Sequence, residues 1–230
     1  MTPQDLQQPK LIVILGQTAT GKTSLGIELA KQFRGEIISA DSRQVYRGMD
    51  IGTAKVTPEE MQGIPHHLID VADPNERFSV AQFREMALAA IEDIHARGNL
   101  PILVGGTGFY IQSIVDGIVL PEVPANPAFR SELKSRSTED LYKILTQKDP
   151  RRAATIDPQN KVRLVRALEI IDTLGVVPTP EAEPTDLDIL QIGLQVPDTI
   201  LKERIHARNV LRINNGLLEE VQSLHDNGLS

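Results

Sequence analysis

Short β-branched apolar runs alternate with helical periodicity over much of the chain. Residues 10–15 (KLIVIL) read as a buried parallel strand, and the helix after it, over 23–33, has Leu25, Leu29 and Phe33 spaced to line one face. Gly35 stops that helix, and residues 36–40 (EIISA) form a second strand. An excursion of mixed composition over 48–67 leads to another core segment at 68–71. Ser79 is placed to cap a helix over 80–96, in which Phe83, Ala87, Ala90, Ile91 and Ile94 share a face and Gly98 is the stop. Residues 100–104 make a third apolar strand and 189–196 a later one, followed by a helix that Asp198 should cap, running through Ile200, Leu201 and Ile205. This alternation predicts an α/β fold, a parallel sheet flanked by helices.

Between 124 and 184 the alternation gives way to helical patterns with proline-marked edges, which reads as an inserted helical subdomain. The expected division is 1–123 for the first part of the core, 124–184 for the insertion and 185–230 for the second part. The Pro-, Glu- and Thr-rich stretch 178–186 is the return linker.

The 230 residues are 40% hydrophobic and 24% charged, and no apolar run reaches the ~20 residues of a membrane helix. Residues 1–10 are polar and lack the basic and apolar regions of a signal peptide, which points to the cytoplasm. Zero cysteines exclude disulfides, thiolate nucleophiles and Cys-ligated zinc. A net charge of -7 argues against broad, non-specific nucleic-acid binding, and 3% aromatic residues argue against a base-stacking platform. Locally the balance reverses: from 129 to 166 there are ten basic residues against five acidic ones. That surface suits a phosphate backbone, although a solvated charged face would carry the same residues.

The densest chemistry is Gly16-Gln17-Thr18-Ala19-Thr20-Gly21-Lys22-Thr23, a G-x-x-x-x-G-K-[ST] loop between a strand and a helix. Backbone N–H groups and the helix N-terminus make a nest for a polyphosphate, Lys22 adds a point charge, and the Thr23 hydroxyl suits a Mg²⁺ that bridges two phosphate groups. Asp41 stands where the second strand ends, beside this cradle, with Ser42, Arg43 and Gln44; it could equally cap a short helix through Val45 and Tyr46. His66 and His67 lack further ligands at metal-binding spacing, so loop packing or phosphate contact is expected. The third strand ends in Gly105-Gly106-Thr107-Gly108, without the acidic residue that ends a Walker-B strand.

Gly16 to Thr23, Ile38 to Lys55 (ISADSRQVYRGMDIGTAK), Pro65 to Asp70 (PHHLID) and Gly105 to Tyr110 (GGTGFY), in this order, resemble the tRNA dimethylallyltransferases. The resemblance implies a P-loop NTPase-like core whose cradle holds dimethylallyl diphosphate with Mg²⁺, and transfer of the prenyl group to the exocyclic N6 of the adenine next to the anticodon. Asp41 would then take the N6 proton, Thr107 would orient the amine or the bridging oxygen, and Gln44 would read the flipped base. Asp41, Ser42, Arg43, Gln44 and Thr107 become expected tRNA contacts. Val162-Arg163-Leu164-Val165-Arg166 resembles the family's tRNA-touching segment, with Arg130 on the same basic stretch, Arg163 and Arg166 facing one groove, and Asn160 where the family usually has Asp. Arg208, with Arg204 one turn before it, resembles an R-I-x-x-R helix near the diphosphate, so Lys22, Asp41, Thr107 and Arg208 are the expected catalytic residues. A cytoplasmic monomer acting on a tRNA anticodon stem-loop, with a C-terminus shorter than the family's, is the resulting expectation. A small-molecule kinase that binds ATP, an adenine-nucleotide prenyltransferase and an inactive RNA-binding homologue remain as alternatives.

Overall fold

The computed structural model describes residues 11–119, 121, 123–179, 181–182 and 185–229; the expectations for 1–10 and for linker positions 180, 183 and 184 lie outside them. The element order begins β1 (Leu11–Gly16), α1 (Lys22–Phe33), β2 (Gly35–Ala40), α2 (Pro58–Met61), β3 (His66–His67), α3 (Val80–Ala96), β4 (Leu100–Gly105), α4 (Gly108–Val115) and β5 (Ile118–Val119). It continues with α5 (Pro127–Lys134), α6 (Thr138–Lys148), α7 (Pro150–Ala153), α8 (Lys161–Leu174), β6 (Glu181–Ala182), β7 (Ile189–Leu194), α9 (Asp198–Asn214) and α10 (Leu217–Asp226). Two compact units result, Met1–Ile118 with Ala182–Ser230 and, separately, Val119–Glu181.

In the first unit a five-stranded sheet has the order β3-β2-β4-β1-β7, and every pairing is parallel. Successive side chains of a strand point to opposite faces, and both faces of this sheet are covered. Leu11, Val13, Ile38 and Leu103 pack with Phe83, Ala87, Ile91 and Ile94 of α3 and Ile111 and Ile114 of α4. Ile12, Ile14, Ile37, Ile102 and Val104 pack on the other side with Ile27 and Ala30 of α1. Gly105 is required where β4 meets β2, because a Cβ there would lie 2.1 Å from the Ala40 carbonyl oxygen. The ends of β1, β2 and β4 are thereby brought side by side.

Helix α3 has the expected bounds, and its Ser79 cap is a full capping box with Gln82. The core segment at 68–71 places Leu68 in the core from a left-handed turn (Leu68 φ 61°, Asp70 φ 57°), and the sheet is joined earlier by His66 and His67. Three expectations are corrected. On α1, Leu25 and Leu29 pack against the sheet core beside Ile27 and Ala30, but Phe33 is 51% exposed. Asp41 caps no helix; its Oδ1 accepts the Arg43 N–H at 2.9 Å in a local turn. Asp198 is the first residue of α9, whose N-cap is Pro197.

The second unit has its own core, in which Leu141, Leu145 and Leu164 are fully buried. Its helices start at side-chain caps: Asn126, Ser137, Asp149 and Asn160 each accept an N–H from the first turn. Asn160 thus serves as an effective cap in place of Asp. A buried carboxylate, Glu169, gathers the Asn126 N–H (2.6 Å), Arg130 Nε (2.8 Å) and Nη2 (2.7 Å), and Arg166 Nη1 (2.6 Å). Burial alone would push this carboxyl up; the hydrogen bonds from Arg130, Asn126 and Arg166 overcome that and hold it at about 2.

Candidate functional site

Loops at the carboxyl ends of β1, β2 and β4 surround a cleft of about 570 Å³. The first loop is the Gly16–Thr23 cradle. Gly16 has φ 154°, and a Cβ on it would lie 2.5 Å from the Leu194 carbonyl oxygen, so only glycine lets the loop leave β1 beside β7. Ala19 and Gly21 are also left-handed, which curls the chain into the helix start. The Gln17 carbonyl accepts from Thr20 Oγ1 (2.8 Å) and Lys22 Nζ (2.6 Å), which draws the loop around the lysine. Burial pushes the Lys22 amine down, nearby Asp41 works against that, and Arg208 adds to it.

Asp41 and Gln44 line the same cleft. Thr107 Oγ1 accepts the Ser42 N–H at 3.0 Å, so the hydroxyl fixes the turn after Asp41 and retains its proton and a lone pair for a ligand. The Gln44 amide is already engaged: Nε2 donates to the Ala54 carbonyl at 3.0 Å and Oε1 accepts from Ser39 Oγ at 3.4 Å. One N–H and one lone pair remain on it for reading a base. Arg43, exposed, also borders the cleft.

The far wall comes from α9. Arg204, Arg208 and Arg212 follow at i, i+4 and i+8, so all three reach the cleft. Arg204 donates to the Ala19 carbonyl at 3.3 Å, and Arg208 donates to Thr18 Oγ1. Burial and then neighbouring Arg208 push the Arg212 guanidinium down, and its Nε is buried without a partner among the described residues. Five cationic side chains therefore face one carboxylate, Asp41, across this cleft. In a chain of net charge -7 that concentration marks a site for a polyanion. Arg212 was missed from sequence; the four-residue spacing of the arginines was its available signal.

His66 also lines the cleft, with Nδ1 2.8 Å from the Ile64 carbonyl, and burial lowers its proton affinity. His67 points elsewhere, to Glu36 Oε2 at 2.7 Å. Among the described residues no group of three or more His, Asp or Glu side chains could hold a metal by itself. The Thr23 hydroxyl is a hard oxygen donor, which fits Mg²⁺ taking its other ligands from phosphate and water.

The residues expected to touch RNA from the helical unit divide sharply. Val162 is 80% exposed, and Arg163 is exposed, its backbone N–H engaged by Asn160 and its side chain without a hydrogen bond among the described residues. Leu164 is corrected to a core residue at 0% exposure, and Val165 packs against the same core. Arg130 and Arg166 are spent largely on Glu169, Arg166 also donating to the Val123 carbonyl at 2.8 Å. Arg163 and Arg166 thus differ in their bonding within the unit, Arg166 being engaged and 36% exposed.

Known proteins agree with this geometry. The IPP transferase family model matches residues 44–230. The chain belongs to the IPP transferase family. A tRNA dimethylallyltransferase from Halalkalibacterium halodurans is 45% identical over 229 residues, covering 96% of this chain and 73% of the relative; one from an Exiguobacterium species is 50% identical over 223 residues, 95% and 72%. The crystal structure of a full-length tRNA isopentenylpyrophosphate transferase from Bacillus halodurans superposes with a TM-score of 0.68 at 43% identity, over 96% of this chain and 72% of that one. A eukaryotic dimethylallyltransferase, captured acting on tRNA, reaches 0.76 at 32% identity, over 94% and 56%. The IPP transferase fold and the parallel sheet described above are thus the same. No helix among the described residues is long and apolar enough to cross a membrane.

Proposed function

We propose that this chain transfers a dimethylallyl group from dimethylallyl diphosphate to the exocyclic N6 of the adenine beside the anticodon of a tRNA. The observation that carries the reading is the cleft itself, with a phosphate nest and five cations around a single carboxylate. A diphosphate meets Lys22, the loop N–H groups and Arg208 at one end. When bound at Thr23, Mg²⁺ would neutralise charge that develops on the departing diphosphate. The allylic carbon–oxygen bond breaks with its electron pair leaving on the diphosphate oxygen, and a carbon–nitrogen bond forms to N6. Asp41 accepts the proton that the amine gives up. Thr107, by accepting from Ser42, holds the turn after Asp41, and its hydroxyl would orient the amine or the bridging oxygen. The base has to leave its stack to reach the cleft, at lower cost in a loop than in a duplex.

β4 ends in glycine rather than a carboxylate, which favours this reading over a kinase that transfers a γ-phosphoryl group. The test is incubation with labelled dimethylallyl diphosphate and unmodified tRNA, with and without Mg²⁺, and with γ-labelled ATP as a parallel donor. Metal-dependent label on an adenine of the tRNA is expected. Label arriving only from ATP would overturn the proposal.

A further inference from the structure

Glu220 lies on α10, far in sequence from the loops that form the cleft. Its carboxylate nevertheless accepts three consecutive backbone N–H groups: Oε2 takes those of Asp50 (2.8 Å) and Ile51 (2.7 Å), and Oε1 takes that of Gly52 (2.9 Å). Residues 50–52 belong to no strand or helix, so these amides have no ladder to join. Three successive inward N–H groups form an anion nest, and here the anion comes from the protein. Space agrees with the bonding: a Cβ on Gly52 would stand 3.2 Å from Glu220 Oε1.

The same strap is fastened again at its other end. Lys55, whose side chain is 7% exposed, donates to Asp50, to Asp70 and to the Tyr46 carbonyl. Thr53 Oγ1 donates to the Met49 carbonyl at 2.6 Å. Between these fastenings, Gly52, Thr53 and Ala54 line the cleft, and the Ala54 carbonyl accepts Gln44 Nε2. A chain of hydrogen bonds thus leads from Glu220 through the strap to the amide of Gln44. Among the described residues none of its members is hydrogen-bonded to the Gly16–Thr23 cradle.

We propose that Glu220 is a positioning residue for the acceptor side of the cleft: it holds the 50–54 strap, and through Ala54 it sets the Gln44 amide that meets the base. This rests on the functional reading above. Holding three N–H groups at once needs both oxygens of a carboxylate. In Glu220→Gln the size is kept, but an NH₂ group confronts one end of the nest. The consequence should fall on the acceptor, because the donor end is secured separately by Lys22, Arg204 and Arg208.

The experiment compares the parent with Glu220→Gln and Glu220→Ala by backbone hydrogen exchange, by dimethylallyl diphosphate affinity and by steady-state kinetics with tRNA. Exchange at the amides of residues 50–52 should quicken by ~10-fold or more in both variants, as expected when a local opening becomes easier. The KM for tRNA should rise by ~10-fold while donor affinity stays within ~2-fold, the change expected when a charged hydrogen-bond set is lost on one side only. A parallel loss of donor affinity would make Glu220 a general stabiliser of the unit and overturn the proposal, as would unchanged exchange at 50–52. If the parent transfers nothing to tRNA, the functional reading falls, and exchange decides by itself whether Glu220 holds the strap as far as Ala54.

Discussion

Arg163 and Arg166 lie three residues apart on α8, and the structure predicts opposite consequences for their removal. Arg166→Ala deletes the bond to Glu169 (2.6 Å) and the bond to the Val123 carbonyl (2.8 Å). Hydrogen bonds of a charged group contribute ~1.5–3 kcal/mol each when buried, but this side chain is 36% exposed, so about 2 kcal/mol for the pair is the better figure. Glu169 keeps Arg130 and the Asn126 N–H, which limits the loss. With a urea m-value of ~1–3 kcal/mol/M, the unfolding midpoint should fall by about 1 M. Arg163→Ala should move stability by no more than ~0.5 kcal/mol, since its side chain is exposed. RNA binding reverses the order. In a salt titration with an anticodon stem-loop, Arg163→Ala should flatten the logarithmic slope by ~0.7–0.9, the value of one neutralised phosphate. Arg166→Ala should leave that slope nearly unchanged at temperatures where the helical unit remains folded. Equal destabilisation by the two substitutions would refute the assignment of Arg166 to Glu169, and an unaltered slope for Arg163→Ala would remove Arg163 from the RNA surface.

Asp41→Asn retains the shape of the turn and an oxygen for the Arg43 N–H, so both substrates should still bind while turnover falls by ~10²-fold or more; turnover within a few-fold of the parent would leave Asp41 as a turn residue only. Acid should expose the two buried carboxylates. In Glu36 the hydrogen bond from Arg97 leads, burial opposes it, and Asn99 and His67 assist, so that both Glu36 and Glu169 are held at about 2 against an ordinary 4.5. The unfolded chain binds these protons more readily, so the stabilisation is complete above about 4.5 and is lost as pH falls towards 2. Melting temperature should therefore drop steeply below that pH, and the drop should shrink in Glu36→Gln and Glu169→Gln; a flat profile down to pH 3 would contradict it.

Much of the sheet could be read from sequence because parallel strands buried on both faces are continuous apolar runs, and α3 because its apolar period is flanked by a capping box and a glycine stop. Segment 68–71 reaches the core without joining the sheet. Leu68 is buried while Ile69 and Val71 are half-buried, and Asp70 donates its N–H to the Gln44 carbonyl and offers its own carbonyl to Arg47 Nη1, in a left-handed turn that hydrophobicity does not encode. The arginines of α8 show a different limit. Spacing places Arg166 beside Arg163, and equally beside Glu169 three residues on, and only the burial of Glu169 decides between a phosphate and a carboxylate as partner.

Legibility differs between the cleft's loops and their supports, since the cradle and the Asp41 turn are each contiguous in sequence while the residues that brace the cleft lie 170 to 190 residues further on. Helices α9 and α10 have no buried residue, so apolar burial does little to dock them on the sheet. Their visible attachments are polar and specific: Arg204 and Arg208 on residues 18–19, and Glu220 on residues 50–52. Two consecutive helices therefore brace the phosphate end with cations and the acceptor end with an anion. The cations repel one another, as Arg208 does Arg212, until a polyanion lies between them. Bound diphosphate consequently adds attraction where the empty cleft has repulsion. By linkage, whatever the ligand gains from α9 it returns as stability of the α9 wall. Donor binding and the ordering of this wall are then one equilibrium, while Glu220 holds the strap on the acceptor side through its own bonds to residues 50–52.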